Sequence, residues 1–142
     1  MPTYTHVLVG LDLSEDADNI LQKAQSLATE CSAQLSVAHI IEPLNFAYGG
    51  DIPMDMSDAQ SCIQDQAKTK LQTLIDTHSI QTKHCRVSVG QTAAELHRLA
   101  EEFSADLIIV GCHGRHGLAL LLGSTSNGVL HGTECDVLAV KI

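Results

Sequence analysis

Four consecutive apolar residues, Leu107-Ile108-Ile109-Val110, three of them β-branched, follow Asp106 and stop at Gly111. A run so short, with no polar face and a glycine at its end, reads as a strand buried on both sides, the pattern of a parallel sheet. Parallel strands need crossover helices, and the rest of the chain supplies them.

His6 to Asp12 reads as a first strand, and Ser14 as the N-cap of a helix with Glu15 and Asp16 in its first turn. Ala17, Ile20, Leu21, Ala24, Leu27 and Ala28 then recur at helical spacing. Gln34 to Ile41 is a second strand, closed by Pro43. Leu44 to Asp55 has no periodicity and reads as a long loop or lid, after which Ser57 to His78 resumes a helical pattern. A third strand spans about His84 to Val89, and Thr92-Ala93-Ala94-Glu95 has capping-box spacing ahead of Leu96, Leu99, Ala100 and Phe103. A helix over about 124–131, with Gly132 as its C-cap, and a strand from Asp136 to Ile142 complete the alternation. The fold class is α/β, a doubly wound five-stranded parallel sheet with helices on both faces. In such sheets ligands bind beyond the carboxyl ends of the strands, at the switch point.

A chain of 142 residues fits a single domain, here 1–142. Seventeen acidic against eight basic residues give a formal charge of −9, and no Lys/Arg cluster appears. That surface repels phosphate backbones and anionic lipid, so neither a nucleic acid nor a membrane is an expected partner. Five cysteines stand singly at Cys31, Cys62, Cys85, Cys112 and Cys135 without a CxxC pair. With no signal-peptide pattern and no long apolar run, the expected compartment is the cytoplasm.

The chemistry is concentrated after the fourth strand. Gly111, Gly114 and Gly117 are followed by the apolar patch Leu118 to Leu122 and by Gly123-Ser124-Thr125-Ser126 at a predicted helix start. Glycine lets main-chain N–H groups approach a ligand, and hydroxyl residues beside a helix N-terminus add donors, which is how a phosphate site is built. The spacing is neither GxGxxG nor a Walker A loop, so alone it leaves open an anion site or plain turn chemistry. Asp12 at the end of the first strand is open in the same way, to a ribose hydroxyl, to a metal bridging phosphates, or to a simple strand-end turn.

Gly111-Cys112-His113-Gly114-Arg115, followed by Gly123-Ser124, resembles the ATP-binding signature of the universal stress proteins, the UspA family, with eight residues between Gly114 and Gly123 where that signature has nine. Leu11-Asp12-Leu13-Ser14 is similar to the family's Val-Asp-x-Ser. The resemblance covers essentially the whole chain and implies strand order 3-2-1-4-5. It implies an ATP site formed by Leu11, Asp12, Leu13, Ile40, Val110, Gly111, His113, Gly114, Arg115, Gly123, Ser124 and Thr125, with Ile40 offering main-chain groups to adenine and Asp12 able to hold Mg2+ through the nucleotide. It also implies a homodimer through the last strand, 136–142, pairing Val137, Leu138 and Val140 with their copies.

Other chemistries fit less well. Cys112, His113 and His116 fall within five residues of one turn, with no fourth ligand to complete a tetrahedral zinc site. Ser124 and Ser126 have no evident base and no GxSxG elbow, and Asp12-Leu13-Ser14 offers no adenylyl-transfer loop. The expected function is a cytoplasmic ATP-binding stress-response protein in which the nucleotide is a structural or signalling ligand. The alternatives are a dimeric interaction module that binds no nucleotide and a slow Mg-dependent ATPase using Asp12.

Overall fold

The structure, a computed structural model, describes residues 3–42, 56–112 and 135–141. In chain order these form β1 (His6–Gly10), α1 (Ala17–Cys31), β2 (Gln34–Ile41), α2 (Met56–Thr77), β3 (His84–Val89), α3 (Thr92–Phe103), β4 (Leu107–Cys112) and β5 (Asp136–Lys141). The five strands make one sheet in the order β3-β2-β1-β4-β5, parallel throughout. The predicted 44–55 loop and 124–131 helix lie outside the described residues.

Alternation along each strand divides the core in two. Val7, Val9, Leu35, Val37, Leu107, Ile109 and Val140 face α1 and α2, joined by Ile20, Leu21, Ala24, Leu71 and Ile75. Leu8, Ala38, Ile40, Ile108 and Val110 face α3, joined by Leu96, Leu99, Ala100 and Phe103. Helices therefore cover both faces, and the central strands β1 and β4 are apolar on both sides because both sides are dry. At roughly 1.5–3 kcal/mol per fully buried large side chain, this burial is the main force holding the layers together.

Both predicted N-caps shift. Asp12 Oδ1 accepts the Ser14 N–H at 3.0 Å, and the Ser14 carbonyl takes the Ala17 N–H at 3.0 Å in a turn, so α1 starts at Ala17 with Asp16 as N-cap. The capping box does not form. Gln91 is the N-cap of α3, Thr92 Oγ1 donates to Glu42 Oε1 at 3.2 Å, and Glu95 turns to Arg98 at 2.6 Å. Each described helix is followed, within two residues of its end, by a serine in the left-handed region, Ser32, Ser79 or Ser104. The next residue's N–H closes the turn onto the helix in each case, as Ala33 does onto the Ala28 carbonyl at 2.7 Å. This is the geometry usually given to glycine.

The amino end of the sheet is tied by Asp106, which accepts the Thr5 and His6 N–H groups and the Thr5 hydroxyl at 2.9–3.0 Å. Burial pushes this carboxyl up, but the hydrogen bonds outweigh it and hold it below 3.8. His6 is buried. Its Nδ1 donates to the Phe103 carbonyl at 2.9 Å, so in the neutral ring Nε2 accepts from Ser36 Oγ at 2.6 Å. Burial lowers its pKa below 6.5; the Phe103 carbonyl and Asp106 oppose the shift, while Lys83 and His84 add to it.

The stability that neutral His6 contributes is complete above 6.5 and is lost as pH falls below that value, where the unfolded chain binds a proton that the folded one refuses. The Asp106 contribution is lost only at lower pH, below 3.8. His6→Gln is therefore expected to flatten the fall in melting temperature between about pH 8 and about pH 5. A slope equal to wild type would count against this account of His6.

Candidate functional site

The order in which successive strands are added reverses beside β1, which has β2 on one side and β4 on the other. Its last residue, Gly10, lies level with Ala38 and Val110. A Cβ at Gly10 would stand 3.0 Å from Leu96 Cδ2, so glycine lets α3 pack close beneath this end. β1 ends at Gly10, short of the predicted Asp12. The Leu11 N–H still bonds the Ala38 carbonyl at 2.9 Å, but Leu13 has φ 61° and the chain turns away.

Leu11, Asp12, Leu13, Ile40, Val110 and Gly111 are thus brought together at the carboxyl ends of three adjacent strands. Leu11, Ile40 and Val110 are buried in the two core clusters, and Leu13 packs against one of them. Their side chains are committed to the core, so what they can offer a ligand is main chain. Asp12 differs, being exposed with Oδ1 turned to the Ser14 N–H. Its other oxygen has no partner among the described residues, and a carboxylate there suits a ribose hydroxyl or a hydrated magnesium ion.

His113, Gly114, Arg115, Gly123, Ser124 and Thr125 lie outside the described residues, as does His116. No group of three His, Cys, Asp or Glu capable of holding a metal occurs among the described residues. A groove of about 870 Å³ lined by Asp18, Asp65, Lys70, Leu74 and His78, among others, shares no residue with the switch point. His78 Nε2 approaches Asp18 there at 3.0 Å.

Sequence reasoning named Ile40 for its main chain and gave the neighbouring His39 no role. In the structure its ring meets the Leu11 carbonyl. The available signal was a histidine set among apolar residues near the end of a buried strand.

Known proteins share this outline. Residues 3–141 match the profile of the universal stress protein family. Universal stress protein A homolog 2 of Coxiella burnetii is 40% identical over 146 aligned residues, which cover 100% of this chain and 98% of that one. A universal stress protein solved in complex with cAMP is 26% identical with a TM-score of 0.61, over 97% of each chain. A family member from Burkholderia pseudomallei shares the fold at a TM-score of 0.74, with 24% identity over 96% of each chain. With a match across nearly its whole length and a close relative of equal extent, the chain belongs to the universal stress protein family.

Proposed function

We infer that this chain is a cytoplasmic ATP-binding stress-response protein, its 142 residues acting as one nucleotide-binding domain and its nucleotide serving as a structural or signalling ligand. The observation that carries the reading is the meeting of Leu11–Leu13, Ile40 and Val110–Gly111 at the switch point, where a doubly wound sheet binds ligands. Main chain from Ile40 would face adenine, Asp12 the ribose or the magnesium ion of Mg-ATP, and the Gly114 and Gly123-Ser124-Thr125 segments, with His113 and Arg115, the phosphates. Membership of a family in which one solved protein holds cAMP supports an adenine nucleotide as the ligand class.

Mass spectrometry of small molecules released from the denatured, purified protein tests the ligand, with calorimetric titrations of ATP and cAMP to rank them. ATP is the expected result; cAMP binding with no ATP binding would replace it. No base is paired with a nucleophile among the described residues of this site, so bound ATP should persist with magnesium. Single-turnover release at about 1 per second or faster would reveal a catalytic group.

The proposed assembly is a homodimer through β5, an edge strand whose outer N–H and C=O groups would pair with a second copy. Of the three residues expected at that contact, Val140 is buried in this chain's own core and Val137 is half-buried against the α3 side. Leu138, 42% exposed, is the one free to meet a partner. Leu138→Glu should shift the protein from dimer to monomer in light scattering at micromolar concentration. A dimer unaffected by the change would place the interface elsewhere.

A further inference from the structure

The turn that leaves β1 is fastened at its root by a side chain of β2. Leu11 is held on both sides of its residue, the N–H by the Ala38 carbonyl at 2.9 Å and the C=O by His39 Nδ1 at 2.6 Å. A carbonyl oxygen only accepts, so Nδ1 carries the hydrogen, whether the ring is neutral or charged. In a continuing parallel ladder a main-chain N–H of β2 would occupy that carbonyl. Here the half-buried imidazole reaches it, from the sheet face that Val37 shares with Leu11.

Beyond this clamp the turn combines a local bond with a strained residue. Leu13 is left-handed at φ 61°, a conformation that is unfavourable for a non-glycine residue. Asp12 sits between the clamped carbonyl and this strained residue, with Oδ1 fixed on the Ser14 N–H at 3.0 Å. The direction of the Asp12 side chain is therefore set by two anchors, one local and one across the sheet.

We propose that His39 is a positioning residue, whose ring N–H on the Leu11 carbonyl holds the Leu11–Ser14 turn in the arrangement that presents Asp12 to the nucleotide. The ligand rests on the function proposed above; the clamp does not. Loss of the ring should leave the fold standing, because the Leu11 side chain is itself only 4% exposed and anchored in the core.

Two substitutions separate positioning from packing. His39→Leu keeps the bulk and removes the donor. His39→Asn places an amide N–H near where Nδ1 now stands. ATP titration should show the Leu variant weakened roughly tenfold and the Asn variant recovering to within roughly threefold of wild type, the range of one neutral hydrogen bond. In the nucleotide-free protein, the amide resonances of Leu13 and Ser14 should move in the Leu variant and return in the Asn variant. Unchanged ATP affinity in His39→Leu, an Asn variant as weak as the Leu variant, or unmoved Leu13 and Ser14 resonances would overturn the assignment. A wild type that takes up no ATP would refute the nucleotide reading instead, and the amide resonances would then decide the clamp by themselves.

Discussion

Ile109→Ala is expected to lower the unfolding free energy by about 3 kcal/mol and the melting temperature by about 10 °C. Ile109 is fully buried in β4, level with Val9 of β1 on one side and Leu138 of β5 on the other. It belongs to the cluster under α1 and α2, where Ala17, Ile20 and Leu21 close over the strand. Truncation removes the transfer energy of the lost carbons and leaves a cavity that strands fixed by hydrogen bonds on both edges cannot close. A loss of that size is a large share of the roughly 5–15 kcal/mol that holds a domain together. Ile63, 37% exposed on α2, provides the control, since Ile63→Ala should stay within about 0.5 kcal/mol of wild type. Urea midpoints at a constant slope measure both. An Ile109 variant within about 1 kcal/mol of wild type would mean that the centre of the sheet is not tightly packed.

Gly114→Val and Gly123→Val should each weaken ATP binding by at least about 100-fold, or about 2.7 kcal/mol, while the circular dichroism spectrum stays that of the wild type. This expectation comes from the sequence, where Gly114 follows the end of β4 and Gly123 precedes Ser124-Thr125. A phosphate cradled by main-chain N–H groups leaves no room for a branched side chain, and β-branching also resists the backbone angles such turns use. Calorimetry on a wild type that binds ATP settles the point. Affinity retained in both variants would show that the glycine segment is not the phosphate cradle.

The architecture was legible because its signals are local and redundant. Val7 to Val9, Leu35 to Ile41 and Leu107 to Val110 are runs that only a two-sided sheet interior can hide, and the 3.6-residue spacing from Ala17 to Ala28 needs one apolar wall. Strand boundaries at Gln34–Ile41 and His84–Val89 fell where the sequence put them. Strand order was not in the periodicity; it came with the family resemblance and agrees with the observed sheet. The placement of two expected residues was legible in part, since Asp12 lies just past the end of β1 and Gly111 is the penultimate residue of β4, and those two strands are neighbours at the switch point.

Sequence alone thus determined the types of the described elements and the parallel sheet, because burial pattern and turn chemistry are properties of consecutive residues. Only the tertiary structure decided how long-range partners use individual side chains. Thr92 left its expected capping role for Glu42, fifty residues away, and Val140 went to this chain's own core rather than to its surface. His6 became a buried, neutral ring between Phe103 and Ser36, and the His39 ring reached the Leu11 carbonyl. Each of those outcomes is a competition between partners far apart in the chain, and hydrogen-bond geometry resolves it only once the sheet has brought β1, β2 and α3 together.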